Sequence, residues 1–196
     1  MNVLAIETSC AEGSIAWNFG GDGRGSFTFS LAGRHSESLT AALERLSLGK
    51  VALDEILIGL GPGSFTGIRV GIAMARGIAA VKGCRVRGLW SHYSQGMQRC
   101  DVTRLVLVSD ARRGHLYVTE YERGRLYRAT YLVPRGSLED VISKGTLAAS
   151  GDGIDDRLER CVPRAEDYLR LWEEGGFDDW REGHLEAFYL PVEERR

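Results

Sequence analysis

Proline and cysteine are both scarce in this sequence, which has four of each among 196 residues. The cysteines are widely separated and include no Cys-x-x-Cys pair; they are Cys10, Cys84, Cys100 and Cys161. This spacing argues against a disulfide framework or a zinc site, and it is typical of reduced thiols in a cytoplasmic protein. No Pro- or Ser-rich linker interrupts the chain, so two lobes, if present, are expected to pack together.

Targeting signals and membrane-length apolar runs are missing as well. The opening segment MNVLAIETSC has no basic residue before its short apolar run, which argues against a secretory signal. No stretch approaches the ~20 apolar residues that a membrane-spanning helix requires. We therefore expect a cytoplasmic protein that does not enter a membrane.

A large excess of charge is also absent, because the formal net charge is −2. This value is too small for the whole molecule to attract nucleic acid. Residues 85–135 nevertheless contain ten arginines and four acids, whereas residues 139–194 contain sixteen acids and six bases. Two interpretations of the basic segment stay open: a solvated face, or a patch that helps a partner hold RNA.

Histidine is rare, and its four occurrences lie far apart, at His35, His92, His115 and His184. Since they form neither an i,i+4 pair nor a His-Glu-x-x-His motif, no metal site is predicted from them. His35 stands at the start of a predicted helix, where a surface or capping role is favoured over metal ligation.

Two carboxylates are candidates for a nucleotide or Mg²⁺ site. Glu7 and Asp110 each stand at the end of the first apolar strand in one half of the chain. Carboxylates that face one cleft could hold a hydrated Mg²⁺. The alternative is that both side chains cap turns, as Asp and Glu often do.

Short apolar runs and helical periodicity predict an alternating α/β architecture. Strands are predicted at NVLAIE, SIAWNF, GSFTFSL and EILIGL, and then at RLVLVS, HLYVTEYE and YRATYLV. Helices are predicted over 36–48, with Ser36 as N-cap, over 64–81, and in the segments LEDVISKG and PRAEDYLRLWEEG. EAFYLP near the end is expected to be a final strand or an extended tail. The strand-turn-strand-hairpin-strand order of residues 2–31 returns roughly a hundred positions later, which predicts two similar lobes.

A glycine-rich turn, GPGSFTGIRVG, opens the predicted second helix at residues 61–71. It lacks the Lys of a Walker A loop, its third glycine is one place late for a dinucleotide fingerprint, and it contains no Gly-x-Ser-x-Gly motif. The glycines have another use, because Gly67, Gly71, Ala75 and Ala79 recur every fourth residue and line one helix face. A face without bulky side chains permits close packing, either within the chain or against another protein.

Several of these segments resemble the TsaB (YeaZ) family. The resemblance rests on LAIETS, RHSESL, GPGSFTGIRVGIAMARGIA, SDARRGHLY and EAFYLP, which occur in the family's order over nearly the whole chain. It implies an actin-like (ribonuclease H-like, ASKHA) two-lobed α/β fold with duplicated mixed β-sheet lobes. The lobes are expected at residues 1–103, which carry the partner-binding helices, and 104–196, which form a smaller C-terminal lobe.

The resemblance also implies a function. Members of the family are non-catalytic partners of TsaD in making threonylcarbamoyladenosine, which lies beside the anticodon of tRNAs that read codons starting with A. TsaD is expected as a heterodimer partner, TsaE as a third subunit and TsaC as the source of the activated group, with homodimers possible when the chain is alone. tRNA is expected to be reached only through the complex. ATP and metal are expected in the partner subunits, with no cofactor in this chain.

The resemblance places the partner surface on the first two helices. The expected interface residues are His35, Ser36, Leu39, Leu43, Gly67, Gly71, Ala75 and Ala79. On this interpretation, Gly71→Leu breaks the heterodimer and leaves the fold soluble. The two metal-binding histidines of TsaD correspond here to Ser91 and Gln95, in the segment WSHYSQGM, so this chain is not expected to catalyse the transfer.

Two other functions remain as alternatives. An actin-like small-molecule kinase or ATPase would use Glu7 and Asp110 around a Mg-nucleotide. GDG at 151–153 is a weak candidate for the nucleotide-binding loop of the second lobe. A metalloprotease is the third possibility, and the missing histidine pair argues against it.

Overall fold

The computed structural model describes residues 1–31, 33–142, 147–151, 153–175, 179–183 and 185–190. Within these ranges the chain forms two β-sheets with α-helices packed against them. His184, residues 143–145 of LEDVISKG, the central residue of GDG and the last residue of EAFYLP lie outside the described residues. No helix in the described ranges is long and apolar enough to cross a membrane.

The first sheet has six strands in the order β11-β5-β4-β1-β2-β3. They are β1 Val3–Glu7, β2 Glu12–Asn18, β3 Arg24–Ser30, β4 Glu55–Gly59, β5 Arg85–Leu89 and β11 Arg181–Glu182. The strands β1, β2 and β3 are antiparallel, whereas β4 and β5 run parallel to β1. All residues of β1 and β4 are buried, which explains why both read as nearly continuous apolar runs rather than as alternating ones.

The second sheet repeats this arrangement with five strands in the order β10-β9-β6-β7-β8. They are β6 Arg104–Arg112, β7 His115–Glu122, β8 Arg125–Pro134, β9 Leu147–Ser150 and β10 Glu159–Arg160. Again three antiparallel strands are joined by hairpins, and two further strands run parallel on the other side of the first. The internal repeat predicted from the strand pattern is therefore confirmed.

Five α-helices accompany the sheets: α1 His35–Glu44, α2 Phe65–Lys82, α3 Ser91–Gln98, α4 Leu138–Ile142 and α5 Ala165–Glu174. The helices α1 and α2 pack on one face of the first sheet, against Leu4 and Ile6 of β1. Helix α5 packs on the opposite face, against Val3 and Ala5. Successive residues of a strand point to opposite faces, so β1 contributes to both cores. The apolar face predicted for α5 is confirmed, since Ala165 and Leu169 are buried in the second core.

Some predicted boundaries were wrong. Helix α1 begins at His35, and Arg34 precedes it without a side-chain cap, so Ser36 is not the N-cap. The helix also ends at Glu44, before a turn in which Ser47 adopts a left-handed φ of 48°. By contrast, the Ser64 side chain does cap α2, because its Oγ accepts a hydrogen bond from the Gly67 N–H at 3.3 Å.

The C-terminal part of the chain returns to the first sheet. After the strands of the second sheet, α5 covers one face of the first sheet and β11 pairs with β5 at its edge. Residues 185–190 have no regular secondary structure, and the Phe188 N–H donates a hydrogen bond to the Leu60 carbonyl at 2.7 Å. The division at residue 103 remains a prediction. Helix α5 and strand β11 follow residue 103 in the sequence but belong to the first sheet.

Candidate functional site

Glu7 is fully buried and its carboxylate is already used by the protein. One oxygen, Oε1, accepts a hydrogen bond from the Ser9 N–H, and Oε2 accepts from Ser91 Oγ at 2.7 Å and from the Tyr168 hydroxyl. Burial and the neighbouring Glu7 charge raise the pKa of Tyr168 well above its usual value, so the phenol stays protonated and donates. Glu7 therefore joins β1, α3 and α5, and it has no free face for a metal ion.

Asp110 lies elsewhere, at the end of β6. Its Oδ1 accepts a hydrogen bond from the Arg112 N–H at 2.9 Å, and its Oδ2 is 3.5 Å from the Arg112 guanidinium. It lines a cavity of about 420 Å³ between the two halves of the chain, whereas Glu7 does not contact this cavity. This cavity therefore contains only one of the two candidate carboxylates, Asp110, and their pairing around Mg²⁺ stays a prediction.

The cavity between the halves has a cationic lining. Arg112, Arg135 and His35 line it together with Asp110 and Ser64 at the start of α2. His35 Nε2 lies 3.5 Å from Ser64 Oγ. Such a lining is suited to an anion rather than to a metal cation.

The small residues of α2 face the interior of the chain. A Cβ atom added at Gly67 would overlap the Thr8 carbonyl oxygen, and one at Gly71 would overlap Thr8 Oγ1. Ala75 is fully buried and Ala79 nearly so. The stripe thus permits α2 to lie close to the chain just after β1, which is the intrachain interpretation left open by the sequence.

This result corrects most of the predicted partner interface. Six of the eight residues are buried against the chain's own sheet and cannot line a surface; they are Leu39, Leu43, Gly67, Gly71, Ala75 and Ala79. His35 faces the cavity between the halves. Ser36 is exposed and is the one residue of the eight on the outer face of the helix pair, within the described chain.

The outer face of α2 carries a second apolar stripe that the sequence reasoning missed. With the turn after α1 it lines a groove of about 600 Å³, which we call the α1–α2 groove; its residues are Ser36, Leu48, Gly49, Val70, Ala73, Met74, Gly77, Ile78, Val81 and Lys82. Val81 has 85% of its surface exposed. Lys82 Nζ donates to the Val51 carbonyl at 2.9 Å, which turns its charge toward the chain. The available signal was the recurrence of apolar residues at positions 70, 74, 78 and 81.

Helix α3 contains Ser91 and Gln95, and both side chains form hydrogen bonds within the chain. Ser91 Oγ donates to Glu7, and Gln95 Nε2 donates to the Cys161 carbonyl at 2.6 Å. His92, the neighbouring imidazole, is buried, and its Nδ1 lies 2.7 Å from the Tyr121 hydroxyl of β7. Desolvation lowers the pKa of His92 to about 4. Within the described residues, no three His, Cys, Asp or Glu side chains are grouped as metal ligands.

Two sheets that share a core of three antiparallel and two parallel strands, with a helix pair on the first sheet, define an α/β protein of the actin-like class, as predicted. A family model described as "TsaD: tRNA N6-adenosine threonylcarbamoyltransferase" matches residues 30–131, slightly more than half of the chain. The chain belongs to this family, and within it to the TsaB (YeaZ) group that its motifs resemble.

Two curated relatives illustrate the similarity. The tRNA threonylcarbamoyladenosine biosynthesis protein TsaB of Escherichia coli is 35% identical over 132 residues, which cover 63% of this chain and 56% of that protein. An uncharacterized protein of Mycobacterium leprae is 36% identical over 134 residues, covering 62% of this chain and 36% of that protein. The matched segment therefore spans about a third to just over half of these relatives' lengths.

A solved structure shares the fold over almost the whole chain. YeaZ from Pseudomonas aeruginosa superposes with a TM-score of 0.73 at 22% sequence identity, covering 96% of this chain and 99% of that chain. At this identity the match shows the fold alone.

Proposed function

We propose that this chain is a non-catalytic subunit for threonylcarbamoyladenosine synthesis on tRNA, and that it pairs with TsaD through the α1–α2 groove. The observation that carries the proposal is the outward apolar stripe of α2, where Val81 and Met74 border a groove with few polar groups. A groove lined by apolar side chains along a helix is the kind of surface into which the apolar face of a partner's helix packs. The family match and the E. coli relative support the choice of process.

The chemistry of α3 supports a non-catalytic role. Its Ser91 and Gln95 side chains hydrogen-bond within the chain, and neither is an imidazole that could hold a metal with its neighbour. The subunit therefore supplies a surface, while TsaD supplies the transfer chemistry, TsaE completes the complex, and ATP and metal bind to those partners. In the absence of TsaD, the same groove permits self-association.

The docking surface is tested with two aspartates on the same helix. Val81→Asp places a charge in the α1–α2 groove, where docking would bury it without a partner. Ala80→Asp is the matched control, since Ala80 is exposed next to Val81 and does not line the groove. We expect Val81→Asp to weaken co-elution with TsaD at least about tenfold, and Ala80→Asp to leave it unchanged. Equal co-elution of both variants with TsaD would refute the docking surface.

The role in modification is tested by reconstitution. TsaC, TsaD, TsaE, ATP, threonine, bicarbonate and tRNA are combined with and without this chain, and the modified nucleoside is measured by mass spectrometry. We expect modification to require the chain, and the chain with TsaC and tRNA alone to produce none. Modification that proceeds equally well without the chain would exclude the proposed role.

An actin-like kinase or ATPase remains the second candidate because of the cavity between the halves. Arg112, Arg135 and the start of α2 could accept a phosphate there. Glu7 is buried and already accepts hydrogen bonds from Ser9, Ser91 and Tyr168, which argues against Mg-nucleotide chemistry at the predicted carboxylates. Tight ATP binding by the isolated chain, lost in Arg112→Ala, would favour this alternative.

A further inference from the structure

One end of the second sheet carries an exposed group of arginines that the docking proposal does not use. It is formed by the start of β6, the β7–β8 turn and the first residues of β8, which is the edge strand. We call it the hairpin patch; its residues are Arg104, Arg123, Arg125, Leu126, Tyr127 and Arg128. The first five residues of β8 are all exposed, and Tyr127 and Leu126 have 64% and 37% of their surfaces exposed.

Two of the arginines share one buried carboxylate. Arg104 lies 3.1 Å and Arg128 3.8 Å from the oxygens of Glu120, which also accepts a hydrogen bond from Tyr131 at 2.7 Å. Burial acts to raise the pKa of Glu120, but the hydrogen bonds from Tyr131 and Arg104 and the two positive charges lower it overall. Glu120 therefore stays charged and holds these arginines at the sheet surface.

The charges of the other two arginines are not neutralised by an ion pair with a described residue. Arg123 and Arg125 are exposed, and neither forms an ion pair with any residue that the structure describes. The turn that presents them is fixed, because Arg123 and Gly124 adopt φ values of 49° and 72° and the Arg123 N–H donates to the Thr103 carbonyl at 2.8 Å. The four arginines of the patch, counted together with the neighbouring Glu120 and Glu122, have a net charge of +2.

An exposed aromatic ring lies among these charges. The Arg104 guanidinium carbon is 5.9 Å from the centre of the Tyr127 ring, and that of Arg128 is 3.7 Å from the Tyr131 ring. Proteins that hold unpaired nucleotides combine such rings, on which bases stack, with arginines that contact the phosphates. A partner protein strand would use the backbone of the edge strand and has no need of this concentration of positive charge.

We infer that the hairpin patch binds an unpaired segment of RNA, with a base on Tyr127 and phosphates on Arg123 and Arg125. The choice of tRNA as this RNA rests on the proposed function. With that choice, the chain itself contacts tRNA within the complex. The patch belongs to the second sheet, whereas the α1–α2 groove belongs to the first, so the two surfaces can be occupied together.

The test measures binding of fluorescein-labelled, unmodified tRNA to the complex of this chain with TsaD, by anisotropy at a series of salt concentrations. Arg123→Ala/Arg125→Ala removes two charges that form no ion pair with a described residue. Arg170→Ala is the control, because Arg170 is exposed on α5, outside the patch. We expect the double variant to raise Kd about tenfold at low salt and to lower the salt slope by about 1 to 2. Tyr127→Ala is expected to raise Kd about tenfold, and Arg170→Ala to change neither quantity.

Three results would overturn the inference. The first is an unchanged Kd for the double variant, and the second is an equal loss in Arg170→Ala. The third is competition by polyglutamate as effective as that by single-stranded RNA, which would indicate a patch for acidic peptides. The thermal midpoint of each variant is measured alongside, and we expect it to be unchanged because the altered side chains are exposed.

Failure of this inference is distinguishable from failure of the proposed function. If the chain neither binds TsaD nor supports modification, the same variants are ranked for RNA binding by the chain alone, and the same order of Kd values would sustain the patch. If modification requires the chain but tRNA binds equally to wild type and the double variant, the proposed function stands and the hairpin patch does not.

Discussion

At the scale of single residues, Gly71 and Gly77 show how two glycines of one helix have opposite surroundings. A side chain at Gly71 would overlap Thr8 Oγ1, which is fixed by its own hydrogen bond to the Gly67 carbonyl at 2.8 Å. At Gly77 nothing lies within 4 Å of an added Cβ. The two positions therefore make a matched pair in which helix propensity is equal and packing differs.

We expect Gly77→Ala to stabilise the protein by ~0.5–1 kcal/mol, because alanine loses less backbone entropy in a helix. Gly71→Ala gains the same propensity but overpacks a buried contact at a cost of about 1–3 kcal/mol, so its net effect is destabilising. Gly71→Leu should overpack this contact further, so we expect it to prevent folding rather than to act on the partner alone. Urea denaturation of the alanine pair measures the difference; equal stability of the two variants would contradict it.

His92 predicts a pH dependence of stability. Its folded-state pKa is about 4 against 6.5 for an exposed histidine, so between these values the unfolded chain binds the proton and the folded chain does not. Stability therefore falls as the pH drops from 6.5 to 4, by about 3 kcal/mol from this residue, and changes no further below 4. His92→Gln keeps a polar side chain that can hydrogen-bond to Tyr121, without the titration. Urea denaturation across this range should give a smaller loss for the variant than for the wild type, and identical losses would exclude His92 as the cause.

At the scale of elements, α5 is held to the first sheet by a buried hydroxyl as well as by apolar contact. The Tyr168 hydroxyl donates to Glu7 where α5 crosses β1. Tyr168→Phe leaves a buried carboxylate with one donor fewer, which should cost about 1–3 kcal/mol. Tyr189→Phe removes a hydroxyl from a side chain that is 58% exposed, and should change stability by less than about 0.5 kcal/mol. Thermal unfolding of the two variants compares them; equal midpoints would show that this hydrogen bond contributes little.

The sequence predicted elements well where periodicity alone decides them. The runs VLAIE and EILIG became buried strands, and the spacing of apolar residues predicted α2 to within one residue at each end. Strand β5 was missed because its charged residues, Arg85 and Arg87, break the apolar pattern beside a short edge strand.

The orientation of α2 was not predictable from its own sequence. The helix has apolar residues on two faces, small ones toward Thr8 and larger ones toward the α1–α2 groove. Periodicity identifies a face, but the choice between interior and surface depends on the backbone that approaches it, here the chain after β1. The hydrogen bonds of Glu7 were unpredictable for a similar reason, since its donors Ser91 and Tyr168 are distant in sequence.

At the scale of the whole molecule, the first sheet depends on the end of the chain. Helix α5 covers the face formed by Val3, Ala5, Ala16, Leu57 and Leu89. A fragment of residues 1–103 would expose this face to water, and we expect it to aggregate. Co-expression with residues 160–190, which contain α5 and β11, should restore soluble protein. A fragment 1–103 that is soluble and unfolds cooperatively alone would contradict this expectation and would support residue 103 as a domain boundary.

The return of α5 to the first sheet also affects synthesis on the ribosome. Leu89 completes its face of the sheet long before Leu171 is translated, and at ~5–20 residues per second the intervening roughly 80 residues take about 4–16 seconds. During that time one face of the first sheet has no cover, while the other already has α1 and α2. The nascent chain thus passes through a stage at which chaperones can bind this apolar face, and the face is covered only after α5 has left the exit tunnel.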